Sequence, residues 1–196
     1  MYSIKNNTSN TQVIKKSKFI TKLYRINNVD DIDTILNNLK IEYKDSTHIC
    51  YAYIVNSKEK CFDDNEPSGT AGMPMLNVLK NNNLTNVLAV VIRYFGGIKL
   101  GAGGLTRAYS NSINDALKLV DKVELTYGYL IEMEFKYDNL KLIDYMLYDK
   151  KVINKEYNDN ILYTFYLSED ELNIIKEFEK VSIHISIKDK VLINKD

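Results

Sequence analysis

The chain has no tryptophan and only two prolines, two cysteines and two histidines among 196 residues. Cys50 and Cys61 form no CxxC pair, which argues against a disulfide-stapled scaffold or a thiolate metal knuckle. Reduced thiols in a cytoplasmic protein are the expectation. His48 and His184 lack metal spacing such as H-E-x-x-H, so no metal and no cofactor are expected. No window approaches the roughly eighteen uninterrupted apolar residues of a membrane span. The opening MYSIKNNTSNTQ has no apolar run of the secretory kind, and no membrane partner is expected. Net charge is zero, but the balance is uneven: 16 basic residues face 11 acidic ones through Lys122, and 10 face 15 from Val123 onward. The basic half permits an anionic partner without requiring one.

What is present reads as an α+β protein of two domains, 1–122 and 123–196, with no Gly/Pro-rich linker at the boundary. Strands are expected around 11–26, then a helix over 29–41 with Val29, Ile32, Ile35, Leu36 and Leu39 at helical spacing. A strand at 47–55 leads into a loop at 63–72 and a helix carrying Met73, Leu76 and Leu79. The run NVLAVVIRY (86–94) is the most apolar strand and reads as central, buried on both faces. The helix after it has the apolar stripe Leu105, Ala108, Tyr109, Ile113, Ala116, Leu117 and Val120. The second half reads βαββαβ, the order of a small ferredoxin-like sandwich: strand 123–136, helix 138–148 capped by Asp138, strands 151–157 and 160–167, helix 169–179, and a last strand. Ser168 and Glu171 are spaced as a capping box. In the last strand Val181, Ile183, Ile185 and Ile187 alternate with polar residues, the pattern of a half-buried strand.

Seven of the eight glycines and both prolines lie between Pro67 and Gly104. Glycine is favoured where a backbone turns sharply or approaches another group. Gly96, Gly97, Gly101, Gly103 and Gly104 sit between the buried strand and a helix, with Arg93, Lys99 and Arg107 nearby. A strand–loop–helix start suits an anion. The specific nucleotide fingerprints are absent, because Ala102-Gly103 stand where a P-loop needs Lys-Ser/Thr and Thr106 replaces the last glycine of G-x-G-x-x-G. A glycine-rich turn that merely lets strand and helix pack closely remains open. Arg93 could instead pair with Asp63 or Asp64. The acidic residues Asp63, Asp64 and Glu66, followed by Ser68 and Thr70, read as a solvated turn that could line the same site, with metal binding or general-base work as the sharper alternative. His48 and Cys50 share one strand face, which fits a core or pocket-lining role better than a nucleophile pair. Tyr94 ends the central strand beside the loop. Strand tyrosines such as Tyr51, Tyr53, Tyr163 and Tyr166 could stack on bases but more simply pack.

Together the two glycine patches resemble the IMPACT/YigZ family. The resemblance rests on H-x-C-Y-A-Y (His48–Tyr53), D-D-x-E-P-S-G-T-A-G (Asp63–Gly72), R-Y-F-G-G-I-K-L-G-A-G-G-L (Arg93–Leu105) and R-A-Y (Arg107–Tyr109). It covers the first domain nearly throughout and the second more loosely. Asn65 stands where the family usually has Gly, and Met73 where it has Lys or Arg. The resemblance implies a first domain like the second domain of ribosomal protein S5 and a last domain like domain V of elongation factor G. Eukaryotic relatives act in translational control through a protein partner that they reach with an additional domain. The resemblance therefore implies RNA or the ribosome as partner, a protein partner in translational control, and no catalytic residue. A small-molecule or nucleotide-binding enzyme and a protein-interaction module stand as alternatives. A deep closed pocket joining Asp63, Glu66 and Lys99 would favour the enzyme, and an open basic face would favour binding.

Overall fold

In the strand Val87–Tyr94, alternation places Val87, Ala89 and Val91 on one face and Leu88, Val90 and Ile92 on the other, and none of the six is exposed. Both sets can be buried only if layers cover the strand on both sides. The computed structural model, which describes residues 1–195, provides those layers. Backbone contacts divide the chain into Met1–Val123 and Glu124–Asp196.

The first unit contains β1 (Tyr2–Ile4), β2 (Thr8–Ile14), β3 (Ser17–Arg25), α1 (Asp30–Glu42), β4 (His48–Val55), β5 (Lys58–Phe62), α2 (Gly72–Asn81), β6 (Val87–Tyr94) and α3 (Ala102–Leu117). Its main sheet runs β2-β3-β6-β4-β5 with every neighbouring pair antiparallel. Met75 and Leu79 of α2 and Tyr109 and Ile113 of α3 pack on the Val87–Val91 face. Ile32, Leu36 and Leu39 of α1 pack on the opposite face. The central strand is therefore read correctly from its apolar run. β5 was not expected: it is an edge strand, its sequence KEKCF is largely exposed, and it carries no apolar alternation. The stretch 11–26 is a hairpin, closed at Ile14↔Ser17 around Lys15 and Lys16.

The second unit contains β7 (Lys122–Phe135), α4 (Leu140–Met146), β8 (Val152–Tyr157), β9 (Ile161–Ser168), α5 (Ile175–Glu179) and β10 (His184–Asn194). Its antiparallel strands are ordered β10-β7-β9-β8 over a core that includes Met133, Phe135, Ile143, Phe165 and Phe178. The capping box is present, with the Ser168 N–H donating to the Glu171 carboxylate at 2.9 Å. Three expectations need correction. Asp138 lies inside a 3-10 turn (Tyr137–Asn139) and makes no side-chain cap. The helix expected over 169–179 is a 3-10 turn from Glu169 to Ile174 followed by α5. The alternation of the last strand is not realised: the strand starts at His184, its pairing shifts register between Ile187 and Lys190, and Ile183 and Ile187 are half exposed. No helix among the described residues is long and apolar enough to cross a membrane.

Candidate functional site

The antiparallel register sets Arg93 of β6 opposite His48 of β4 and Phe19 of β3. All three lie at the end of the sheet where the glycine loop 95–101 leaves for α3. Arg93 was expected among the anion-binding residues, but its side chain is 5% exposed and its Nη1 donates to Glu66 Oε1 at 2.5 Å. Glu66, not Asp63 or Asp64, is its partner. The guanidinium lies between the rings of Phe19 and Phe95, at 5.3 and 5.5 Å from their centroids, and Nη2 donates to Ser17 Oγ at 3.3 Å. A charge held this deeply and neutralised by a carboxylate is committed to the fold rather than to a phosphate.

Glu66 collects the surrounding polar groups. Besides Arg93 it accepts the Tyr109 hydroxyl at 2.7 Å, and His48 Nε2 lies 3.8 Å away. His48 Nδ1 donates to the Asp64 carbonyl at 2.7 Å, which fixes the ring and leaves Nε2 toward the carboxylate. Asp63 and Asp64 serve the backbone. Asp63 accepts N–H groups from Gly69, Ala71 and Gly72 at 2.8–3.0 Å, holding the start of α2, and Asp64 accepts that of Ile49 at 2.6 Å. Both carboxylates thus serve the loop structurally, by accepting backbone amides. The loop turns through left-handed backbone at Asp64 and Asn65 (φ 44° and 64°), so Asn65 does occupy a conformation that glycine favours. Thr70 bonds the Pro67 carbonyl within the turn, and Ser68 is exposed. Tyr94 leaves the group: it packs on the α1 face and its hydroxyl donates to Asp45. Tyr163, offered for stacking, is fully buried, while Tyr51 and Tyr53 pack against the α1 side.

Cys50 sits beneath this network. Its thiol donates to the Asp63 carbonyl at 3.0 Å and lies 3.4 Å from the Tyr109 hydroxyl. Burial pushes the thiol up to about 12, and burial together with Cys50 and Glu66 raises Tyr109. The reactive species is the thiolate, so Cys50 is inert in the folded chain. A thiol-reactive reagent at pH 8 should modify the partly exposed Cys61 first and reach Cys50 only on unfolding. Stoichiometric modification of Cys50 under native conditions, mapped by mass spectrometry, would contradict the burial described.

Above the network a cleft of about 420 Å³ opens, lined by His48, Glu66, Arg93, Phe95 and Lys99 together with Gly101 and Ala102 at the start of α3. Gly101 (φ 73°) offers no capping side chain, and the amides of Ala102, Gly103 and Gly104 have no carbonyl one turn earlier in the helix. Gly97 (φ 82°) makes the other left-handed bend of the loop. Gly96 packs against the β2–β3 hairpin, where a Cβ would lie 2.0 Å from the Lys16 carbonyl carbon. Arg107 is exposed and reaches back over Gly103. Lys99 and Arg107 make no ion pair among the described residues. Thus the structure brings together His48, Glu66, Arg93, Lys99 and Gly101, with Arg107 on the far side of the loop, and leaves Asp63 and Tyr94 outside the cleft. Sequence reasoning gave no site role to Phe95, to Ser17, to the Lys15–Lys16 turn or to the hydroxyl of Tyr109, which it placed only in the buried stripe. Only Phe95, an aromatic directly before Gly-Gly and so badly placed for a core, carried a local signal.

The chain matches the model of the Impact N-terminal domain over residues 15–117. It is 37% identical to the IMPACT family member YvyE of Bacillus subtilis, over 90% of this chain and 84% of that protein. It is 36% identical to YigZ of Escherichia coli, over 76% of each chain. Among solved structures, a hypothetical protein superposes with a TM-score of 0.65 at 31% identity, covering 91% of this chain and 89% of the other. The matched segment spans the main sheet apart from its edge strand β2, the Glu66 network and the glycine loop, and the chain belongs to the IMPACT family.

Proposed function

We propose that this protein acts in translational control by binding RNA, alone or within the ribosome, through the glycine-loop face of its first unit. The observation that carries this reading is the placing of two exposed cations, Lys99 and Arg107, on either side of the glycine loop that opens α3, with Phe95, itself 46% exposed, in the Lys99 cleft. Cations and free amides serve phosphates, and an exposed aromatic offers a face to an unpaired base. The resemblance to eukaryotic IMPACT proteins supports translation as the setting. The fold reading belongs with it: a first unit like the second domain of ribosomal protein S5, and a second unit ferredoxin-like in the manner of elongation factor G domain V. The βαββαβ order and the sheet order β10-β7-β9-β8 support the latter. A cytoplasmic location accords with two free thiols.

Crosslinking in cells with sequencing of attached RNA, together with ribosome co-sedimentation, tests the reading directly; absence of both overturns it. In vitro, replacing Lys99 and Arg107 by Ala should weaken binding of single-stranded RNA and flatten the salt slope by about 1.4, at about 0.7 per lost phosphate contact. Unchanged affinity would move the interface elsewhere. One observation favours a second reading, a small-molecule or nucleotide site: Asn65, Glu66 and Pro67 face Lys99 and Gly101 across the same cleft. A saturable rise in Tm with a mononucleotide, without RNA binding, would favour that alternative.

A further inference from the structure

Lys15 and Lys16 occupy the two positions of the β2–β3 hairpin turn, with φ of 44° and 67°. A two-residue turn of this hand is commonly built from Asn-Gly, because a Cβ is strained in the left-handed region. Neither lysine recovers that cost through a contact. Both are exposed, and neither side chain has an ion pair or hydrogen bond among the described residues. Local stability gives no reason for two cations here, and unfavourable backbone held by its surroundings is a mark of functional positions.

The turn is also held in a fixed place. Gly96 lies directly on the backbone of Lys16 and Ser17, and its N–H donates to Ser17 Oγ at 3.1 Å. The same oxygen accepts from the buried Arg93. The lysine tip is thereby fastened to the glycine loop. Between them lies a second cleft, of about 260 Å³, lined by Lys15, Arg107, Asn111, Leu100 and Gly104. None of its lining residues is acidic. Lys99 and the start of α3 belong to the larger cleft, so cations border the loop on both sides.

We propose that the Lys15–Lys16 turn and Arg107 form a second phosphate subsite, so that one RNA strand crosses the glycine loop with a phosphate on each side. One phosphate sits at Lys99 and the amides of α3, and another sits in the Lys15–Arg107 cleft. This inference rests on the RNA-binding reading of the face. It explains why an energetically poor turn sequence stands at this tip.

The test separates stability from binding. The double variant Lys15→Asn/Lys16→Gly installs the favoured turn sequence, and its Tm should rise by about 5 °C. Its affinity for a single-stranded RNA of about ten nucleotides should fall roughly tenfold at moderate salt, with a salt slope shallower by about 0.7, the loss of one phosphate contact. If the wild type binds this RNA and the variant binds equally well with the same slope, the subsite is wrong and the wider reading survives. If the wild type binds no RNA, the wider reading fails and takes the subsite with it. Competition by inorganic phosphate at constant ionic strength distinguishes a strand from a free anion. Weak competition is expected, and displacement of RNA by micromolar phosphate overturns the strand arrangement.

Discussion

Replacing Glu66 by Ala should destabilise the first unit by about 3–5 kcal/mol, because it leaves the Arg93 guanidinium buried with no counter-charge. At roughly 4 °C per kcal/mol for a unit of this size, its Tm falls by about 15 °C. The same change removes the acceptor of the Tyr109 hydroxyl, at the centre of the α3 packing. Glu66→Gln keeps an oxygen in place and loses the charge, so its loss should be smaller, about 2 kcal/mol. The pair Glu66→Leu/Arg93→Met removes both charges and should be less damaging than Glu66→Ala alone, since apolar replacement of a buried ion pair is often tolerated. Urea denaturation of the four proteins measures the set. A Glu66→Ala loss below about 1 kcal/mol would mean that solvent reaches the pair and that the network does not organise the cleft.

The parts of this molecule that could be read from its sequence are those where a local pattern and the tertiary structure agree. NVLAVVIRY reads as a doubly covered strand because its run from Val87 to Ile92 is apolar without interruption, and the stripe on α3 reads from its spacing. Gly96 and Gly97 mark a tight, bent connection, and the structure uses them as a backbone contact and a left-handed bend. The Glu66–Arg93 pair could not be read with the same certainty. Twenty-seven positions separate the partners, and Asp63, Asp64 and Glu66 are interchangeable by charge until the loop geometry assigns two of them to backbone amides. The Lys15–Lys16 turn was hidden for a different reason. Turns are recognised by Gly, Asn, Asp or Pro, and here the backbone adopts the conformation without them. β5 and the last strand follow the same logic: an exposed edge and a register shift erase the alternation by which strands are recognised.

Gly96→Ala should be the most damaging of the glycine substitutions in the loop, for reasons of space rather than backbone conformation. A Cβ at this position would meet only backbone atoms: the Lys16 carbonyl carbon at 2.0 Å, its oxygen at 2.1 Å and the Ser17 nitrogen at 2.4 Å. No side-chain rotation relieves such a clash, so the hairpin tip has to move away from the loop. That movement breaks the Gly96 N–H bond to Ser17 Oγ and disturbs the bond from Arg93 to the same oxygen. A loss of about 3 kcal/mol is expected, at the upper end of what overpacking costs. Gly97→Ala provides the contrast. Its φ of 82° makes an L-residue strained, yet nothing lies within 4 Å, so about 1 kcal/mol is expected. RNA affinity should diverge in the same order: Gly96→Ala carries Lys15 and Lys16 away from Arg107 and lowers affinity, whereas Gly97→Ala keeps them in place. Parallel urea denaturation and RNA titration would measure both effects. Equal stability losses at the two positions would mean that the hairpin does not rest on Gly96. A Gly96→Ala protein that binds RNA at full strength would mean that the lysine tip lies outside the interface.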